Sequence, residues 1–165
     1  MSRTGTLVVT GAGGRLGTYL RASVRELATT ARLLDVVRPP EAAADEPVEV
    51  FQGSVTDPKV LDSVCEGADA LVHLAGFAGD APWPDLSEVN VGGTWAVLEA
   101  ARRHRLRRVV VASSNHAVGF RARGPLPLPD DVAPLPDSLY GVSKAALEAL
   151  CGFYSLEYSM DNSRN

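Results

Sequence analysis

Three features of this 165-residue sequence predict an α/β fold, a doubly wound parallel sheet with helices on its faces. Short β-branched runs alternate with helical apolar patterns along the chain. The strand-like runs are continuously apolar, as strands buried on both faces are. The first of them opens into a glycine-rich turn that leads into a helix, and such alternation gives parallel strands joined by helical crossovers.

Thr6 to Thr10 (TLVVT) is the first predicted strand, and Thr18 to Leu27 carries the first helical pattern. Between them lies Gly11-Ala12-Gly13-Gly14-Arg15-Leu16-Gly17. Gly11 permits a tight turn, Gly14 lets backbone approach a pyrophosphate, and Gly17 lets helix and strand pack closely. The helix N-terminus offers free N–H groups and partial positive charge to an anion. In this context Gly11, Gly13, Gly14, Arg15, Leu16 and Gly17 are expected to bind a dinucleotide, in a Rossmann-type sheet.

Arg32 to Val37 is the second strand, with Asp35 placed 18 residues beyond Gly17. A carboxylate there receives ribose hydroxyls and repels a 2′-phosphate, which favours NAD over NADP. Arg38 points the other way. Pro39 to Pro47 is a polar, proline-bracketed loop. Val48 to Phe51 is the third strand, and Asp57 is placed to cap a helix running from Pro58 to Cys65. Asp69 to Leu74 is the fourth strand, and Ala75 and Gly76 after it leave room for a cofactor. His73, inside that strand, reads as a core histidine rather than a catalytic one.

Phe77 to Pro84 forms an irregular loop, and Asp85 to Arg103 a long helix. Asn90 is unfavourable in a helix by propensity, so it is expected to bend the helix or order a water. Arg108 to Ser113 is the fifth strand and runs into Ser114, Asn115 and His116. Leu126 to Pro136 is a proline-rich loop, after which Asp137 or Ser138 can cap the last helix. That helix carries Tyr140 and Lys144, four apart and therefore on one face. A neighbouring ammonium favours a tyrosine's phenolate, so such a pair can take a proton from an alcohol or return one to a ketone.

Apolar residues make up 45% and charged residues 22%, the profile of a soluble globular protein. The net charge of −4 argues against a nucleic-acid partner, and the cluster Arg102, Arg103, His104, Arg105, Arg107, Arg108 reads as solvated charge at a helix end. Cys65 and Cys151 have no metal-like spacing, so no metal is expected and a reduced compartment is. No apolar run approaches a membrane span, and the expected location is the cytoplasm.

With these residues in place, the chain resembles the extended short-chain dehydrogenase/reductase family, the NAD-dependent epimerase/dehydratase group. The matching pieces are Thr10 to Gly17, Asp35, His73-Leu74-Ala75-Gly76, Asn90, Ser113-Ser114 and Tyr140-Gly141-Val142-Ser143-Lys144. Ala112-Ser113-Ser114-Asn115-His116-Ala117-Val118-Gly119-Phe120 is similar to the uronate dehydrogenase branch. The resemblance implies NAD as cofactor, with Ser54, Val55, Leu74, Ala75, Gly76, Asn90, Tyr140 and Lys144 joining the glycine turn and Asp35 around it. It implies a sugar-acid substrate, a hexuronic acid oxidised at its C1 hydroxyl to the lactone. Tyr140 would be the general base. Lys144 would support it and hold the nicotinamide ribose, and Ser114 would hydrogen-bond the reacting oxygen. Asn115 and His116 would bind the remaining hydroxyls or the carboxylate.

Two other functions stand beside this one, a nucleotide-sugar epimerase or dehydratase and a non-catalytic NAD-binding module. Such proteins also pair into homo-oligomers through the helices containing Asn90 and Tyr140. There are departures from the family pattern. Ser54 stands where an acid often reads the adenine amino group, leaving adenine to backbone or Asp57. Ala78 stands where uronate dehydrogenases often have a serine. Family members continue well past Tyr158, so a C-terminal truncation is expected. One domain would span residues 1–165, with about 159–165 an atypical tail and the fifth strand a bare sheet edge.

Overall fold

The computed structural model describes residues 4–124, 126–158 and 160–164, the stretch 161–164 as backbone alone. Its strands are β1 (Thr4–Thr10), β2 (Ala28–Asp35), β3 (Val48–Gln52), β4 (Ala70–His73), β5 (Arg108–Val111) and β6 (Asp161–Arg164). They form one sheet in the order β3-β2-β1-β4-β5-β6, and every neighbouring pair is parallel. The chain moves outward from β1 to β3, then crosses back to lay β4 on the other side of β1. That reversal opens a crevice at the C-terminal ends of β1 and β4, where ligands of such sheets bind.

The helices are α1 (Arg15–Ala22), α2 (Val24–Leu27), α3 (Pro58–Cys65), α4 (Trp83–Asp85), α5 (Gly93–Arg103) and α6 (Leu139–Tyr158). A π-helical stretch, Leu86–Gly92, joins α4 to α5, and a 3₁₀ segment, Asn115–Arg123, follows β5. Each sheet face has its own core. Leu7, Val9, Val24, Ala28, Ala31 and Leu33 fill one. Val8, Leu34, Leu61, Leu71, Val97, Val109 and Leu147 belong to the other, where Cys65 and Cys151 are also buried. Consecutive β1 residues thus serve opposite cores, the burial that a continuous apolar run requires. Burial pushes the Cys65 thiol up to about 12, which leaves it inert at neutral pH.

The predicted parallel sheet is present, with four local differences. The first helix ends at Ala22, and β2 starts at Ala28 rather than Arg32. Ala28 and Ala31 are fully buried beside Val24 and Val9, and small alanines carry no strand signature. The helix expected from Asp85 begins instead as the π-helical stretch around Asn90. The residues after Ser114 coil into the 3₁₀ segment, because Ser114 Oγ accepts from the His116 N–H at 3.2 Å and caps it. Lastly, the expected tail is corrected: Asp161–Arg164 pair in parallel along Arg108–Val111, so β5 is not a bare edge. As expected, Asp57 caps α3, accepting from Lys59 N at 2.9 Å with Pro58 at the first helical position. No helix among the described residues is long and apolar enough to cross a membrane.

His73 is the core histidine the sequence suggested. Its Nδ1 lies 2.7 Å from Thr10 Oγ1 and its Nε2 lies 3.1 Å from Thr94 Oγ1. Thr94 Oγ1 donates to Asn90 O at 2.6 Å, so it must accept from His73 Nε2–H, and Thr10 then donates to bare Nδ1. A neutral ring completes this chain of bonds. Burial, with some help from the Lys144 charge, lowers the His73 pKa from 6.5 to about 3.

The unfolded chain therefore binds a proton below pH 6.5 that the fold refuses until about pH 3. His73 stabilises fully above that window and loses its contribution within it as pH falls, by roughly 1.4 kcal/mol per pH unit. Glu46, held down to about 2 by the Arg21 guanidinium, responds only below its ordinary 4.5, so pH 4.5–6.5 is free of it. Urea midpoints across that interval should fall steeply in the wild type and by about one proton less in His73→Gln. Equal slopes would show that His73 is not the group responsible.

Candidate active site

The crevice at the ends of β1 and β4 holds a cavity of about 400 Å³. Gly11, Gly14, Asp35, Ser54, Val55, Leu74, Ala75 and Gly76 line it, all anticipated from sequence. Gly11 has φ +71°, and a Cβ there would lie 2.5 Å from Ala75 N, so turn and β4 meet without side chains between them. A Cβ at Gly17 would come within 2.7 Å of backbone atoms of Gly11 and Ala12, which is how α1 enters directly beneath the turn. Among the described residues no side chain caps α1, so its first amides are left for an external acceptor. Arg15 and Leu16 stand exposed at that helix start, outside the cavity wall.

Asp35 closes the adenosine end. Its Oδ2 accepts from Gly13 N at 2.8 Å and its Oδ1 from Val37 N at 3.0 Å, which holds the carboxylate at the mouth. Arg38 is turned onto Glu41 at 2.7 Å, so the counter-signal for a 2′-phosphate is engaged elsewhere. Asp57 is committed to the α3 cap and Ser54 to Thr56, through bonds of 2.8 and 3.1 Å. A bare turn, uncapped amides and an acid at the second strand's end fit a dinucleotide without 2′-phosphate.

Past the crevice, α6 brings Tyr140 and Lys144 to the end of β5. Lys144 is 8% exposed and donates from Nζ to Ala112 O at 2.9 Å, with Nζ 5.6 Å from the Tyr140 ring centroid. Burial lowers its pKa from the usual lysine range. Asn90 departs from its expected cofactor contact. It is 1% exposed, accepts from Phe77 N at 2.8 Å and donates from Nδ2 to Phe77 O at 3.2 Å and to Ser143 Oγ at 3.1 Å. Ser143 Oγ in turn donates to Tyr140 O at 2.7 Å. Asn90 thus clamps the loop after β4 to the helix of Tyr140, and the π-helical stretch aims it there.

Tyr140 also borders a second cavity, of about 310 Å³, lined by Gly79, Asp80, His116, Asp137, Ser138 and Tyr140. The His116 ring meets the Tyr140 ring edge-on at 5.7 Å. Its Nδ1 is 2.8 Å from Asp137 Oδ1, and the imidazole holds the Asp137 carboxyl below the usual carboxylate range. The cap left open between Asp137 and Ser138 falls to Ser138, whose Oγ accepts from Gly141 N at 3.0 Å. Ser114 Oγ donates to Asn115 Oδ1 at 3.3 Å, an exposed partner that an incoming hydroxyl can replace. Ser113 donates to Glu148 instead, and both line a different cavity from Tyr140.

Of the residues expected at the site, Tyr140 and His116 share the 310 Å³ cavity, Lys144 lies beside Tyr140, and Ser114 caps the segment that carries His116. Asp80, also on that cavity, was not anticipated, and Asp137 was anticipated only as a helix cap. The signal for Asp137 was its place three residues before Tyr140, next to a second candidate cap that left one of the two free.

The family model described as "NAD dependent epimerase/dehydratase family" matches residues 7–162. The chain is 35% identical over 156 residues to a uronate dehydrogenase of Pseudomonas syringae pv. tomato, covering 94% of this chain and 56% of that protein. It is 34% identical over 167 residues to an NAD-dependent glucose-6-phosphate dehydrogenase of Haloferax volcanii, covering 90% and 62%. A solved uronate dehydrogenase from Agrobacterium tumefaciens, a tyrosine-to-alanine mutant complexed with NAD, superposes with a TM-score of 0.83 at 34% identity. That superposition covers 95% of this chain and 58% of the solved one. The chain thus spans a little over half the length of the relatives it matches.

Proposed function

The chain belongs to the NAD-dependent epimerase/dehydratase family, and from that premise we propose that it is the cofactor-binding and proton-transferring part of a sugar dehydrogenase of the uronate dehydrogenase kind. NAD is its cofactor. The observation that carries the reading is Tyr140 on the wall of the cavity it shares with His116, with the buried Lys144 Nζ 5.6 Å from its ring, and the uronate and glucose-6-phosphate dehydrogenases among the relatives support it.

In this reading a hexuronic acid presents its C1 hydroxyl to Tyr140. Bound NAD supplies the acceptor for the two electrons and the hydrogen leaving C1. Tyr140, entering the step as phenolate, takes the hydroxyl proton and leaves as phenol, the C1–O bond becomes a carbonyl, and the ring product is the lactone. Ser114 Oγ donates to the reacting oxygen as charge develops there. Lys144, fixed by Ala112 O, keeps an ammonium beside the Tyr140 ring and would hold the nicotinamide ribose. Asn115 and His116 hold the sugar's other hydroxyls, and Asn90 keeps the loop of Phe77 and the helix of Tyr140 in register.

Mixing the protein with NAD and galacturonate or glucuronate tests this by the growth of NADH absorbance. Turnover on the uronates, with less on glucose 6-phosphate, is the expected result. Epimerised nucleotide sugar without net NADH would move the assignment to an epimerase, and NAD binding without any turnover to a non-catalytic module.

A further inference from the structure

His116 is held from three directions. Its N–H donates to Ser114 Oγ at 3.2 Å, its carbonyl accepts from Asp137 N at 3.3 Å, and its Nδ1 meets Asp137 Oδ1 at 2.8 Å. The segment that carries Asp137 is laced to the 3₁₀ segment by Leu135 N to Ala117 O and Phe120 N to Leu135 O, both 3.0 Å. Backbone geometry therefore sets the two side chains against each other. The space that the Asp137 carboxylate fills is the space that Gly119 leaves open, because a Cβ at Gly119 would overlap Asp137 Oδ2 and Cγ. A carboxylate only accepts hydrogen bonds, so the shared proton sits on Nδ1 and Nε2 is the nitrogen left for another partner. His116, Asp137 and Tyr140 all border the 310 Å³ cavity, outside the NAD crevice.

We propose that Asp137 is a positioning residue for sugar recognition, which holds the His116 proton on Nδ1 and thereby presents Nε2 to a substrate hydroxyl beside Tyr140. The role resembles that of a carboxylate behind a metal-binding or catalytic imidazole, where the partner of one ring nitrogen decides what the other can do. This rests on the proposed sugar-dehydrogenase reading for the identity of the ligand, but not for the state of the imidazole. Asp137 is not among the residues that line the cofactor crevice. Gly119 supports the arrangement by staying small.

The imidazole ¹⁵N signals of His116, measured at alkaline pH in the wild type and in Asp137→Ala, Asp137→Asn and Gly119→Ala, read the proton's position without any turnover. The expected result is the Nδ1–H tautomer in the wild type and in Asp137→Asn, whose amide oxygen still accepts. Asp137→Ala and Gly119→Ala should lose it. Sugar KM should rise about tenfold in Asp137→Ala and be largely restored in Asp137→Asn, with the NAD Kd unchanged. An Nε2–H tautomer in the wild type, or one unaltered by Asp137→Ala, overturns the proposal. A correct tautomer pattern in a protein that turns over no sugar would instead overturn the dehydrogenase reading and leave the positioning intact.

Discussion

Tyr140→Phe should lower sugar turnover by roughly 10²- to 10⁴-fold, the scale of a lost general base. NAD affinity and melting temperature should stay near their wild-type values. The ring is nearly buried at 9% exposure, and phenylalanine keeps its packing and its edge contact with His116. Among the described residues no group is bonded to the Tyr140 hydroxyl, so the fold has little to lose with it. The helical bond from Ser143 Oγ reaches the Tyr140 backbone, which the substitution leaves untouched. Lys144→Met is the contrasting case. It removes a buried donor and leaves Ala112 O without the Nζ bond, so it should lower the melting temperature along with turnover. NADH absorbance, titration calorimetry and a thermal scan together separate these outcomes. Retention of more than a tenth of wild-type turnover in Tyr140→Phe would remove the phenol from its assigned role.

The parts of the molecule that sequence revealed are those set by local chemistry. Continuous apolar runs required strands buried on both faces, and Leu7 to Thr10 are buried so. Asp57 before Pro58 required a cap, and the side chain makes it. Gly11 to Gly17 and Asp35 each satisfy a nearby backbone or ligand need, so their spacing predicts the crevice. What stayed hidden depends on partners distant in sequence. Asn90 is a poor helix residue whose bonds go to Phe77, 13 residues earlier, and Ser143, 53 residues later. The polar run Asp161–Arg164 has no strand signature. It pairs because α6 returns the chain beside the outer edge of β5, and the ladder needs only backbone. Asp137 was ambiguous for a related reason. Two adjacent residues can cap α6, and only the position of His116, 21 residues earlier, decides between them.

At the glycine turn, Gly17→Ala should be more damaging than Gly14→Ala, although both add a single methyl group. At Gly17 the new Cβ would lie 2.5 Å from Gly11 O, 2.6 Å from Ala12 Cα and 2.7 Å from Ala12 O. All three are backbone atoms of the turn that presents the cofactor amides, so relief requires moving α1 or the turn. Overpacking of this kind costs about 1–3 kcal/mol. The displaced amides should also weaken NAD binding by about 10- to 100-fold, since those N–H groups are the donors the turn offers to a phosphate. At Gly14 the nearest atom would be Gly11 O at 3.3 Å, which a shift of a few tenths of an ångström accommodates. Stability should therefore change little there, and any loss of NAD affinity would come from the methyl standing in the pyrophosphate's approach. Denaturant midpoints and NAD titrations on the two variants give the comparison. Equal stability losses would mean that the close packing of α1 under the turn is not what holds it in shape, and that Gly17 serves the ligand alone.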